Sequence, residues 1–265
     1  MFKTGVITAS WVGEINNHQP APWPELVQMH WDRFGLPELD ALFERIAGLG
    51  FEYVEYWIGH SGNLGRTPLW RGVTPEQVLS IFDKHGLKLA SFCPGGLGRD
   101  TEMEPIFEFA HSLGAKMLTG WLGPQKEVWE RVVSLCERYD MRYGIEPHGP
   151  EYSLTFPEDL LKACAFSERL GVCPDTGVWA HQGVDVILAV EKVAEHTIHM
   201  HLKGYHQDKG FGCAPGEDDI GLDRVVRFLR DAGYTGVYSL EYEADHDPDP
   251  ELKRARAWLL DVLEN

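Results

Sequence analysis

The sequence has no apolar run of the ~18–20 residues that a bilayer crossing takes, so no membrane span is expected. It is poor in positive charge: 24 Lys and Arg stand against 41 Asp and Glu, a formal net charge of −17. Nucleic acid and anionic membrane repel such a chain over long range, and neither is expected as a partner. Cysteine is sparse. Cys93, Cys136, Cys164, Cys173 and Cys213 are odd in number and form no C-x-x-C pair, which argues against a disulfide framework or a zinc–thiolate site. Cys136, Cys164 and Cys173 lie in apolar surroundings and read as buried free thiols. No low-complexity stretch or charged linker divides the chain, so residues 1–265 are expected to form one domain. The opening residues, Met1 to Thr8, read as a strand and lack the longer apolar core of a secretion signal. The expected location is cytoplasmic.

What is present is alternation. Short apolar segments at 3–9, 51–57, 87–93, 115–121, 141–148, 171–177, 197–203 and 236–243 read as strands. Amphipathic segments near 37–48, 74–85, 102–113, 125–139, 157–170, 183–195, 219–232 and 250–263 read as helices. Strands alternating with helices imply parallel β-α-β units. Eight such pairs in 265 residues match the ~250 residues of a single (β/α)8 TIM barrel. Gly50, Gly86, Gly114, Gly171 and Gly233 each follow a helix-like segment, where a left-handed cap is wanted. Thr74-Pro75-Glu76-Gln77 opens a helix with Thr as cap and Pro in the first turn. Two longer stretches, 10–35 and 204–218, read as irregular. Both follow a strand, which puts them at the C-terminal mouth of the barrel, the face that carries active sites.

Side chains along a strand alternate between faces, so each strand can be divided. In 141–148, Met141, Tyr143 and Ile145 should face helices, while Glu146 and His148 point inward near the strand's end. In 197–203 the inward set is His199, His201 and Lys203; in 236–243 it is Ser239, Glu241 and Glu243. Asp175 sits late in 171–177 on the face of Cys173. Four consecutive strands thus aim Glu146, Asp175, His201 and Glu241 at one mouth. Three carboxylates buried together are very unfavourable unless a cation or protons offset their charge. One divalent ion held by these four does so directly. Oxygen and imidazole donors suit Mn²⁺, Mg²⁺, Co²⁺ or Zn²⁺, with Mn²⁺ the favoured expectation. The plainer alternative is a proton-sharing polar barrel core.

The segments I-E-P-H (145–148), P-D-T-G (174–177) with A-H-Q-G-V-D (180–185), H-M-H-L-K (199–203) and G-Y-T-G-V-Y-S-L-E-Y-E (233–243) resemble the xylose isomerase-like superfamily of sugar isomerases and epimerases. The group includes tagatose/psicose 3-epimerase, hydroxypyruvate isomerase and 2-keto-myo-inositol isomerase and dehydratase. The resemblance implies one metal on Glu146, Asp175, His201 and Glu241. It also implies that the two glutamates are catalytic, one taking a proton from carbon beside a carbonyl and the other returning it. The metal stabilises the enediolate as Lewis acid. The chain departs from the pattern at Val178, where many members have a substrate-binding His three residues after the Asp. His181 has two readings, a replacement from a displaced loop or a surface residue. The Arg that follows the metal His in the family is also missing. Lys203 either holds a substrate oxygen or balances the carboxylates.

Further substrate contacts are expected from His148, which alternatively donates to Glu146, and from Glu55, Trp57 and His60 around the end of the second strand. Trp11 and Trp121 are further aromatic candidates, against barrel packing. The expected partner is a small-molecule sugar or polyol, and the reading leaves room for a homo-oligomer. A lyase or dehydratase would use the same metal and base, with loss of a β-oxygen. An abasic-site endonuclease shares the fold but needs more His ligands and a DNA-binding surface, and a non-catalytic sugar-binding barrel would not need a complete ligand set. The acidic run Glu243-Ala244-Asp245-His246-Asp247 argues against a phosphorylated substrate, while the Gly-rich 210–216 region with Lys209 just before it argues weakly for one.

Overall fold

The computed structural model describes residues 2–61, 73–243 and 246–265. Its strands are β1 (Lys3–Ile7), β2 (Tyr53–Trp57), β3 (Lys88–Leu97), β4 (Met117–Leu122), β5 (Arg142–Ile145), β6 (Leu170–Val172), β7 (Met200–His206), β8 (Phe211–Cys213) and β9 (Val237–Glu241). They form one sheet in the order β6-β5-β4-β3-β2-β1-β9-β7-β8. β8 is antiparallel to β7, and the other ladders are parallel. Parallel bridges Val172↔Thr197 and Asp175↔His201 join the β6 side of the sheet to the β7 side and close the ring. The result is a TIM barrel with β8 as a hairpin strand at its mouth. Each of the eight ring strands overlaps one of the eight segments expected from the sequence.

The α-helices are α1 (Trp23–Arg33), α2 (Leu36–Gly48), α3 (Pro75–His85), α4 (Met103–Ser112), α5 (Lys126–Tyr139), α6 (Pro157–Cys164), α7 (Thr176–His181), α8 (Val186–Val193), α9 (Leu222–Asp231) and α10 (Pro248–Glu264). Among the described residues, none is long and apolar enough to cross a membrane. Tyr143, Ile145, Met200, Leu202 and Leu240 are fully buried. Each such side chain contributes about 1.5–3 kcal/mol. A one-residue slip would turn the apolar set inward, so this burial fixes the register that aims their neighbours into the barrel. All five cysteines are free and buried, Cys93 and Cys213 included.

Three expectations are corrected. The segment 171–177 is not one strand: the ladder stops at Val172, because Pro174 has no N–H to donate, and Asp175 opens α7 instead. The stretch 10–35 is mostly helical. A 3-10 segment, Thr8–Asn16, is followed by α1, which Pro24 starts in its first turn. In 204–218, β7 continues to His206 and β8 returns along it. The mouth is also tied together by Arg45 of α2, which contacts Glu14 at 2.7 Å and Asp249 at 2.8 Å. Trp11 is buried in the core, and its indole N–H donates to Asp249 at 2.8 Å.

Candidate metal centre

Three of the four central side chains reach the mouth from in or next to a strand, and the fourth from a helix cap. Glu146 directly follows β5, with its N–H donating to the Gly120 carbonyl at 2.9 Å. Asp175 is the N-cap of α7, and its Oδ1 accepts the Val178 N–H at 2.9 Å. His201 is the second residue of β7, and Glu241 is the last residue of β9. One donor atom from each of the four lies within 4.8 Å of the others. Asp175 and His201 are fully buried, and Glu146 and Glu241 nearly so. The second oxygen of Asp175, Oδ2, and Oε2 of Glu241 have no hydrogen-bond partner. Buried carboxylate oxygens without donors are costly, and a cation among them removes that cost. Three carboxylates and one imidazole are a donor set that fits a divalent ion such as Mn²⁺ or Mg²⁺.

A second layer lies beneath. Glu55 is fully buried, and its Oε2 accepts from His201 Nε2 at 2.8 Å and from His199 Nε2 at 2.7 Å. The Thr119 hydroxyl donates to its other oxygen. Burial alone would raise the Glu55 pKa; the facing imidazoles of His201 and His199 outweigh it and hold the group well below the usual carboxylate range. An ionised carboxylate only accepts, so Nε2 of His201 carries the hydrogen. Nδ1 is then left to face Glu146 and Glu241, each 3.3 Å away.

Negative charge is in excess at the mouth. Burial pushes the Asp175 carboxyl up, with Lys203 opposing and Glu146 adding to the rise. Burial also pushes Glu241 well up against Lys203, reinforced by Asp175 and Glu243. Lys203 is the nearby ammonium, 2.5 Å from Glu243, 3.1 Å from Glu241 and 3.9 Å from Asp175. Its stem fits because residue 177 is glycine: a Cβ there would lie 2.6 Å from Lys203 Cγ. His148 Nδ1 stands 3.9 Å from Glu146 and makes no hydrogen bond.

The cluster faces a cavity of 310 Å³ at the C-terminal mouth, whose walls include Trp57, Trp121, Glu146, His148, Lys203 and Glu241. Three expected substrate contacts are placed elsewhere. Glu55 belongs to the buried layer below, where the imidazoles of β7 hold it. His60 is buried with its ring stacked on Phe34 at 4.2 Å. His181 is exposed at the end of α7 with Nδ1 3.2 Å from the Tyr205 hydroxyl, and Val178 itself lines the cavity. Ala244 and Asp245 of the acidic run lie outside the described residues. The sequence reading missed Trp23, Cys93 and Tyr152 in the cavity wall. For Trp23 a signal exists: Trp23, Val27, His30 and Phe34 recur at helical spacing.

The family model described as "xylose isomerase-like TIM barrel" matches residues 43–262. No curated protein matches the chain. Among solved structures, an L-ribulose 3-epimerase is 16% identical, with a TM-score of 0.71 over 100% of this chain and 95% of that one. A xylose isomerase-like TIM barrel protein from Mycobacterium smegmatis, solved with magnesium, is 16% identical, with a TM-score of 0.71 over 99% of this chain and 97% of that one. A protein described as the probable 3-DHS dehydratase AsbF of Bacillus anthracis is 17% identical, with a TM-score of 0.66 over 100% of this chain and 99% of that one. At these identities the likeness speaks for the fold.

Proposed function

The chain belongs to the xylose isomerase-like TIM-barrel family, and from that premise we propose that it is a divalent-metal-dependent isomerase or epimerase of a sugar, keto-sugar or inosose. The observation that carries the reading is the convergence of Glu146, Asp175, His201 and Glu241 within 4.8 Å, beside a cavity with aromatic walls. These four residues would hold the ion, with Mn²⁺ as the favoured metal. When bound, it supplies Lewis acidity to a substrate carbonyl, which makes the neighbouring C–H more acidic. Glu146 and Glu241 both border the cavity and act as the proton-transfer pair, one taking the proton from carbon and the other returning it. His148 and Lys203 orient substrate oxygens from the wall, and the indole of Trp57 packs on a sugar's C–H face. A negative charge developing on substrate oxygen is met by the Lys203 ammonium, which counts most in the transition state.

The test is solvent hydrogen exchange. Mn²⁺-loaded protein incubated in D₂O with ribulose, psicose, tagatose or 2-keto-myo-inositol should place deuterium beside the carbonyl. Glu146→Gln and Glu241→Gln should abolish this, and elemental analysis should show bound metal reduced in them and in Asp175→Asn and His201→Ala. Turnover with complete direct hydrogen transfer and no solvent label would refute the proton-transfer roles, and undiminished metal in all four variants would refute the centre. A lyase using the same ion and base would differ in its product. An unsaturated product in the same incubations would favour it.

A further inference from the structure

The cavity at the carboxylates continues outward. A second space of 530 Å³ adjoins it and shares Trp23, Trp57, Gly95 and Trp121 as common walls. Trp31, Asp100, Thr101 and Glu102 border the outer space and not the inner one. Two of the shared indoles pack closely against glycine backbone. A Cβ on Gly96 would lie 2.0 Å from the Trp121 ring, and one on Gly59 would lie 2.0 Å from the Trp57 ring. Both glycines leave room for an indole that any side chain would displace. Trp23 joins them from α1, with its ring centroid 5.5 Å from that of Trp57, and it remains 43% exposed. Barrel packing does not account for an exposed indole beside two others. An aromatic surface rimmed by polar groups and continuous with a reaction site is a binding surface. Its chemistry fits a ring with apolar C–H faces and a hydroxyl edge, because indole faces take the former and Asp100 and Glu102 accept hydrogen bonds from the latter.

We propose that the outer space is a second saccharide subsite, so that the substrate is a glycoside whose reacting ring, seated at the carboxylates, carries a further glycosyl unit. This rests on reading the inner cavity as the seat of the reacting sugar. A substrate that ended at one ring would leave the exposed part of Trp23 wet. Covering it with a pyranose face should tighten binding about tenfold.

The experiment is calorimetric titration of the whole protein, EDTA-treated and Mn²⁺-loaded, with cellobiose, maltose, gentiobiose and lactose and with their constituent monosaccharides. At least one disaccharide should bind about tenfold more tightly than either component. Trp31→Ala and Asp100→Ala, at positions that border the outer space and not the inner one, should remove that advantage and leave monosaccharide affinity unchanged. Asp100 is exposed, so the second variant folds even where the first does not. Disaccharides that bind no better than their components, or an advantage that survives both variants, would overturn the subsite. Solvent exchange with simple ketoses but no disaccharide preference would leave the enzymatic reading standing and remove the subsite. A disaccharide preference retained in EDTA-treated Asp175→Asn, with no exchange from any substrate in the Mn²⁺-loaded native protein, would do the reverse.

Discussion

Replacing Glu55 tests whether the buried layer controls the candidate metal centre. The carboxylate accepts the Nε2 hydrogens of His199 and His201 at 2.7 and 2.8 Å in a fully buried setting. Each charge-assisted bond contributes about 1.5–3 kcal/mol, and removing one partner of a buried ionic contact costs about 3–5 kcal/mol. Glu55→Ala should therefore destabilise the protein by roughly 3–5 kcal/mol. Glu55→Gln retains the shape but brings an NH₂ group among donors, either the Thr119 hydroxyl or the two imidazoles, so a loss of about 1.5–3 kcal/mol is expected. The functional effect is separate from stability. Where the amide turns its NH₂ to the imidazoles, Nε2 loses its acceptor and the His201 hydrogen is free to move to Nδ1, the atom that faces Glu146 and Glu241; where its oxygen stays there, a neutral acceptor replaces an ionised one. Losing such an outer carboxylate typically weakens metal binding 10–100-fold. Mn²⁺ titration of folded Glu55→Gln by calorimetry measures this directly, and imidazole ¹⁵N shifts report which nitrogen of His201 carries the hydrogen. Native affinity and an unchanged tautomer in that variant would refute the reasoning.

Gly177→Ala should cost about 1–3 kcal/mol as an overpacked site, since the new methyl would lie 2.6 Å from Lys203 Cγ; an unchanged thermal midpoint would contradict the close fit. Arg45→Ala should lower stability by about 1–2 kcal/mol, discounted because the pair with Glu14 is about one-third exposed (35% and 34%). Urea midpoints at low and high salt measure it, and a loss that grows with salt would refute an electrostatic origin.

The barrel was legible because its signal is repeated eight times, each with an apolar outward face and a helix to cover it. The inward direction of Glu146, His201 and Glu241 followed from alternation alone, since each lies in or next to a regular strand. Asp175 reached the same mouth by another route. Pro174 breaks the ladder, and a helix cap aims the carboxylate. The role of Glu55 was hidden because alternation puts it inward without saying at which level. The level is set by partners distant in sequence: Thr119 on β4, His199 just before β7 and His201 within it. His60 lies just past β2, where a local spacing no longer fixes a direction, and of the two readings left open for His181 the surface one agrees with its exposed place at the end of α7. The tryptophan wall needed α1, whose helical pattern is short and follows a 3-10 segment.

The polar layer also bears on why this barrel is built as it is. Barrel interiors are ordinarily filled by branched apolar side chains, which interdigitate without polar atoms to satisfy. Here Ser91, Thr119, Glu55, His199 and Ser239 are all fully buried. A buried ionic group of this kind is weak evidence for stability, because apolar residues of similar volume often do as well or better. Stability alone therefore gives no reason for Glu55. Its geometry gives one: a single oxygen holds both imidazoles, and one of these turns its Nδ1 toward two glutamates whose other contacts are with His148 and Lys203. The Lys203 ammonium does not substitute for an ion at the centre, since it reaches Glu241 and Glu243 from the side and leaves Oδ2 of Asp175 without a hydrogen bond. An arrangement that accepts the cost of a buried carboxylate below, and leaves two carboxylate oxygens bare above, is accounted for when the space between the four donors is meant for a cation.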